Sequence, residues 1–216
     1  NQPLIDGVGI MASGVSGRAI AFLATDGVDE RELADSWRAL ADAGADVHLV
    51  SLEGGEIRGT QPDDIAARFP VGRVLSEVRA GQYSALVLPG GHANLDRLRT
   101  HPGAVAFVRA FIDADKPVAA IGDAVGVLVA ADAVRGRTVT SSPDLATVVR
   151  EAGGAWVDEP VVVDQKLVTT RGVDALPRFG ARVLEVFAEA IDERRLDFTV
   201  EQSFPASDPP PGPAAS

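Results

Sequence analysis

The sequence of 216 residues contains no cysteine. This absence excludes disulfide bonds, thiolate metal ligands and a cysteine nucleophile supplied by this chain. Basic residues are also scarce, because 20 Lys and Arg stand against 31 Asp and Glu and leave a formal net charge of −11. Most of such a surface would repel a phosphate backbone, so we expect no nucleic-acid partner.

Long hydrophobic runs are missing as well. No stretch approaches the roughly 20 apolar residues that cross a bilayer, and residues 1–17 have no basic segment of the kind that opens a signal peptide. We therefore predict a cytoplasmic protein without membrane contact and a flexible leader at 1–17. Five prolines and few large apolar side chains predict disorder from about residue 203, within a C-terminal extension at 193–216.

Short apolar runs alternate with helix-like segments through the rest of the chain. Residues 18–25, 85–88 and 117–121 read RAIAFLAT, ALVL and PVAAI, which is typical of strands buried on both faces. Apolar residues at helical spacing, such as Leu33, Trp37 and Leu40, lie between these runs. The alternation predicts one α/β domain at 18–192, with a doubly wound, mostly parallel sheet and helices on both faces.

Three predicted strands end in loops that carry glycine and acidic residues. These loops are residues 26–29 (DGVD), 89–92 (PGGH) and 122–123 (GD). Ligands of open α/β sheets bind beyond the carboxyl ends of the strands, so we expect the site there. Gly90 and Gly91 allow close backbone approach and an anion site made of amides, although two glycines after a strand also make an ordinary turn.

The segment 116–128 (KPVAAIGDAVGVL) has the strand, sharp turn and helix of a nucleophile elbow. It resembles the DJ-1/PfpI family, of the class I glutamine-amidotransferase-like group, whose members usually read KPVAAICHGPWLL here. Residues 25–33, 85–100, 134–140, 152–165 and 167–171 are similar to other segments of that family. The resemblance covers about 18–191 and implies a flavodoxin-like fold and a homodimer or larger ring.

The resemblance also assigns site positions. Gly122 stands where the family has its nucleophilic Cys, Asp123 where it has the adjacent His, and Asp29 where a Glu supports the Cys. Asp96 is a weaker match to an acidic residue that some relatives contribute to a neighbouring subunit. The predicted ligand-binding residues are Asp29, Gly90, Gly91, His92, Gly122, Asp123 and Ala124.

Asp123 allows two interpretations. At the start of a helix its carboxylate would cap free amides and stabilise the helix by about 1 kcal/mol. Alternatively, Asp123 lies near Asp29 and His92, where two carboxylates in a low-dielectric pocket share a proton and perform acid/base chemistry. The spacing of the histidines indicates no zinc site, and we expect neither a metal nor a cofactor.

The family's reactions, which include peptide hydrolysis, glyoxalase-type conversion of oxoaldehydes and repair of glycated groups, use a thiolate that this chain lacks. We therefore expect a non-catalytic, stress-associated homo-oligomer that binds a small ligand or acts as a scaffold. The first alternative is a hydrolase or glyoxalase/deglycase-like enzyme with altered acid/base chemistry at Asp29 and Asp123. The second is a holdase-type chaperone, which needs an exposed apolar patch of several hundred Å².

Overall fold

The fold is built on a mostly parallel sheet with helices on both faces, as the sequence predicts. The computed structural model describes residues 14–61 and 66–203, with side chains placed as far as Leu196. The central sheet contains β1 (Ala19–Leu23), β3 (Asp46–Ser51), β6 (Arg73–Val74), β7 (Ala85–Leu88), β8 (Val118–Ile121), β11 (Val161–Asp164) and β12 (Leu167–Thr170). Their order is β11-β12-β8-β7-β1-β3-β6, and all pairs are parallel except β11 with β12.

Two small sheets and the helices complete the described fold. One sheet joins β2 (Val28–Asp29), β4 (Glu56–Thr60) and β5 (Arg68–Pro70), and the other joins β9 (Thr138–Val139) to β10 (Ala155–Trp156). The helices are α1 (Glu30–Asp42), α2 (His92–Thr100), α3 (Pro102–Asp113), α4 (Val125–Ala130), α5 (Ala146–Glu151) and α6 (Leu176–Ser203).

Alternate residues of the central strands face two separate hydrophobic cores. In β7, Leu86 and Leu88 pack with Phe107 and Phe111 of α3. On the opposite face, neighbouring residues of the same strand pack with α1 and α6, where Phe187 is fully buried. This period of two, with both faces covered, explains why the strands read as continuous apolar runs.

The chain termini differ in part from the expected boundaries. The predicted leader lies outside the described residues up to residue 13, but Val15 is fully buried and the Gly17 amide donates to the Gly44 carbonyl, so 14–17 belong to the fold. Helix α6 continues to Ser203, beyond the predicted domain end at 192. The predicted disordered tail otherwise lies outside the described residues. Within the described ranges, no helix is both long and apolar enough to cross a membrane.

Candidate active site

The carboxyl ends of β1, β7 and β8 bring the three predicted loops together at one edge of the sheet. Asn94 connects two of them: its Oδ1 accepts from the Thr25 amide at 2.8 Å, and its Nδ2 donates to the Pro89 carbonyl at 2.9 Å. The loops are also joined by the Asp29 amide, which donates to the Gly90 carbonyl at 3.1 Å. The site is therefore held by main-chain and amide hydrogen bonds inside the fold.

Gly122 occupies the sharp corner between β8 and the short 3-10 turn 122–124 that leads into α4. Its φ of +53° lies in the left-handed region, where a residue with a side chain is strained. A Cβ built on Gly122 would lie 3.3 Å from Glu32 Oε1, 3.5 Å from the Arg171 carbonyl oxygen and 3.7 Å from Ser142 Oγ. The corner has the position expected of a nucleophile elbow and is surrounded by oxygen atoms.

Glu32 is the carboxyl group next to this corner. It lies in the first turn of α1, is 6% exposed, and its Oε2 accepts a 2.7 Å hydrogen bond from the Gly90 amide. Burial, followed by the nearby charge of Asp29, raises the pKa of Glu32 to about 8, against the lowering effect of the Gly90 hydrogen bond. Glu32 is therefore predominantly a neutral carboxylic acid at pH 7, able to donate a proton.

Asp29 does not occupy the place that the resemblance assigned to it. It is the N-cap of α1, and its Oδ1 accepts from the amides of Arg31 and Glu32, both at 3.0 Å. The supporting carboxyl of the corner is Glu32, one helical turn further along. Sequence reasoning overlooked this residue, although Asp29 followed three positions later by Glu32 is a recognised N-terminal helix pattern.

Asp123 forms a chain of polar contacts with His92 and Ser142. Its Oδ2 lies 2.6 Å from His92 Nδ1, and its Oδ1 accepts a short hydrogen bond from Ser142 Oγ. The contacts that the structure describes for the Asp123 carboxylate go to His92 and Ser142 and not to amides at the start of α4, so the geometry does not support the helix-cap interpretation. The structure also gives no support to a proton shared between Asp29 and Asp123. Asp29 accepts from amides of α1, and Asp123 contacts His92 and Ser142.

The glycine pair is required by close packing. A Cβ on Gly91, whose φ is +106°, would lie 2.2 Å from the Gly27 carbonyl oxygen. A Cβ on Gly90 would lie 2.4 Å from Glu32 Oε2. These two glycines therefore allow the loop to approach the first loop and the buried acid, and the Gly90 amide binds Glu32 instead of pointing to a ligand.

Two of the predicted site residues, Ala124 and Asp96, lie outside the polar group formed around the Gly122 corner. Ala124 is fully buried in the core formed with α3, so its side chain packs inside the protein. Asp96 lies on an exposed face of α2 and pairs with Arg99 at 2.8 Å. Its proposed contribution to a neighbouring subunit stays a prediction.

A cleft of about 430 Å³ opens beside His92. Its walls are mainly apolar, and His92 is 78% exposed at its edge. Gly126 allows Leu95 to pack closely against α4, because a Cβ there would lie 2.6 Å from Leu95 Cδ1. The lining includes Leu95, Gly126, Val129, Ala130, Leu145 and Val148.

The fold and the sharp corner at Gly122 together define an α/β protein with the strand-to-helix turn of a nucleophile elbow. The family model for the DJ-1/PfpI family matches residues 18–186, and the chain belongs to this family. A solved ThiJ/PfpI domain protein from Brachyspira murdochii has the same fold, with a TM-score of 0.73 and 23% identity, over 81% of this chain and 98% of that chain.

Two similar proteins are named as deglycases. Protein/nucleic acid deglycase 2 of Escherichia coli is 33% identical over 171 residues, which are 78% of this chain and 97% of that protein. A deglycase of Pyrococcus horikoshii is 34% identical over 152 residues, or 70% of this chain and 89% of that protein. These relatives overturn the expectation of a non-catalytic binding or scaffold protein and favour the enzymatic alternative.

Proposed function

We propose that this chain is a deglycase-type enzyme that acts on small adducts of 2-oxoaldehydes by side-chain acid/base catalysis instead of thiolate attack. The observation that carries the proposal is Glu32, a buried carboxyl with a pKa raised to about 8 that lies against the elbow. A strongly raised pKa of a carboxyl group beside a candidate reaction site is typical of general acids. The names of the relatives support deglycation as the reaction class.

His92 is the proposed general base. Asp123 holds its Nδ1 at 2.6 Å, and Ser142 in turn hydrogen-bonds to the other oxygen of Asp123. An Nδ1–H donated to a carboxylate leaves Nε2 as the proton acceptor. Asp123 is thus a positioning residue, and it also contributes to the raised pKa of Glu32.

The proposed reaction breaks a hemiaminal, in which one carbon carries both a hydroxyl and an amine nitrogen. His92 Nε2 takes the hydroxyl proton, and the O–H electrons form the carbonyl. The C–N bond breaks and its electron pair takes a proton from the Glu32 carboxyl. Amine and 2-oxoaldehyde leave, and solvent restores the proton of Glu32 and removes that of His92, so no oxidant or further reactant is needed.

The test is turnover of the hemiaminal formed from methylglyoxal and N-acetyl-lysine, measured by release of the amine. Glu32→Gln keeps an acceptor for the Gly90 amide but has no acidic proton, so we expect a loss of about 100-fold or more. Thiol-blocking reagents have no target in this chain and serve as a control against a contaminating cysteine enzyme. A wild-type rate equal to that of Glu32→Gln would contradict the proposal.

We further propose an assembly state, a location and a substrate range. We expect a homo-oligomer, which light scattering of the purified protein tests, and a cytoplasmic location. A nucleic-acid substrate is named for the E. coli relative, whereas the net charge of −11 here favours small adducts. The holdase alternative is disfavoured because, among the described side chains, the exposed large hydrophobics are Val148 and Leu196, on different helices.

A further inference from the structure

Two adjoining cavities lie at the amino end of the central sheet, opposite the elbow. The larger has a volume of about 860 Å³ and the smaller about 380 Å³, and both are lined by Gly81, Lys116 and Arg194. Lys116 precedes β8, and Arg18 and Ser84 of the smaller cavity precede β1 and β7. We call the two cavities together the amino-end cleft.

The charges of this cleft are opposite to those of the chain as a whole. No described Asp or Glu lines either cavity, although acidic residues outnumber basic ones by 31 to 20 in the sequence. A cleft lined by one sign of charge concentrates the field and attracts counter-ions. The cationic side chains of the lining are Arg18, Arg79, Lys116, Arg194 and Arg195.

The chain has two lysines, which differ in how their charge is balanced. Lys166 Nζ lies 2.6 Å from Asp115 Oδ2 and 3.6 Å from Glu193 Oε2. Lys116 Nζ instead donates to the carbonyls of Ala80 at 2.8 Å and Tyr83 at 2.5 Å. Carbonyl dipoles orient an ammonium group but do not cancel its net charge, so the charge of Lys116 remains available to an anion.

Arg194 adds to this positive charge. Its guanidinium donates to the Ala114 carbonyl. Burial, and then the charge of Arg194, lower the pKa of Lys116, as expected of two cations that face one space without a carboxylate between them. Lys116 and Arg194 also have a structural role, because both donate to main-chain carbonyls. Those hydrogen bonds do not explain why Arg18 and Arg79 line the same cleft.

The larger cavity also has an apolar wall. Leu75, Val78, Phe107 and Ala110 line it together with Lys116 and Arg194. An apolar wall beside convergent cations matches a molecule with an aromatic or aliphatic body and an anionic head. A long polyanion fits less well, because the net charge of −11 would repel the parts that extend beyond the cleft.

We propose that the amino-end cleft is a binding site for small organic anions. The carboxylate, sulfonate or phosphate head lies at Lys116 and Arg194, and the apolar body lies on the wall that contains Val78 and Phe107. This site is separate from the elbow and does not depend on the proposed deglycase reaction.

The probe is 8-anilinonaphthalene-1-sulfonate, which combines an aromatic body with one negative charge. We expect saturable binding by fluorescence, weakened about fivefold by Arg79→Glu and about tenfold by Lys116→Met, consistent with loss of a charge-assisted contact. Arg182→Glu makes the same charge change as Arg79→Glu on an exposed face of α6 and should leave binding within about twofold. The uncharged N-phenyl-1-naphthylamine should bind more weakly than the sulfonate.

The location is read from the ε-carbon NMR signals of the two lysines. The sulfonate should shift the signal of Lys116 and leave that of Lys166 in place. Equal effects of Arg79→Glu and Arg182→Glu, equal binding of the uncharged compound, or unchanged Lys116 in the presence of bound sulfonate would each overturn the proposal. Arg79 is exposed and precedes the short 3-10 helix Ala80–Gln82, so its variant tests the site even if Lys116→Met fails to fold.

Discussion

Each end of the central sheet holds an ionisable side chain, an acid that is buried at the carboxyl end and a base that is partly buried at the amino end. At the carboxyl end, Glu32 lies near Asp29 and Asp123, and its pKa is raised to about 8. At the amino end, Lys116 lies near Arg194, and its pKa is lowered. In both places burial is the largest cause and a like charge adds to it, so each end holds an ionisable group whose charged form is disfavoured.

The difference between the ends lies in what each group can do with its proton. Glu32 becomes a proton donor near neutral pH, which suits a reaction at the adjoining corner. Lys116 is fixed by two carbonyls beside a wide apolar cavity, which suits recognition of a charge. The same physical effect therefore underlies both proposals, acid catalysis at one end of the sheet and anion binding at the other.

The largest expected effect concerns stability at the carboxyl end. Because the pKa of Glu32 is raised above its ordinary value of 4.5, the folded state keeps a proton that the unfolded state loses between pH 4.5 and about 8. The resulting stability is fully present below pH 4.5 and is lost as the pH rises to about 8.

Glu32→Gln removes this titration. Urea unfolding at pH 5 and pH 8 should show that the variant gains roughly 3 to 4 kcal/mol relative to wild type between these two values. Asp113→Asn, which changes an exposed carboxylate on α3, is the control and should show little relative change. If the free energy of unfolding depended on pH in the same way for wild type and Glu32→Gln, the contrast between the two ends of the sheet would be wrong.

A smaller effect is expected from filling the corner itself. Gly122→Ala would place a methyl 3.3 Å from Glu32 Oε1 at a φ of +53°, whereas Gly136→Ala would create the same kind of backbone strain, at +71°, with nothing within 4 Å. Both variants should lose about 1 to 2 kcal/mol of stability. Only Gly122→Ala should also lose hemiaminal turnover, by about tenfold, since it alone changes the surroundings of the acid. If the two alanine variants had equal activity, the corner at Gly122 would have no role in the proposed reaction.

The smallest expected effect is a change in the pKa of Lys116 at the amino end of the sheet. Arg194→Gln removes the cation that contributes to the lowered pKa of Lys116, so that pKa should rise in an NMR titration. The signal of Lys166, which is paired with Asp115, distinguishes the two lysines of the chain in this experiment. If the Lys116 titration does not move, Arg194 does not face Lys116 in solution.

Much of the fold was accessible from the sequence because the central strands are buried on both faces. Strands β1, β7 and β8 were predicted within about two residues, since continuous apolar runs leave little choice of structure. Helix α2 was missed: its sequence HANLDRLRT buries only Asn94, Leu95 and Leu98, and this gives a weak helical pattern.

The site was predicted in position but only partly in its residues. The predicted strands place the three loops at one edge of the sheet, and Gly122 lies at the expected corner. Glu32 was missed because loop similarity alone does not say where α1 begins, and a shift of one turn exchanges one acid for another. The proximity of Asp123 to His92 was expected from the meeting of the strand ends, but the 2.6 Å contact itself depends on the packing of α2 against the turn 122–124.

The glycine at the corner also decides how this site responds to oxidants. A thiolate at such a position is converted stepwise to sulfenic, sulfinic and sulfonic acids, and the later steps are irreversible in most proteins. Carboxyl and imidazole groups do not follow that course under mild peroxide. The reaction proposed for the elbow around Gly122 should therefore be insensitive to mild peroxide.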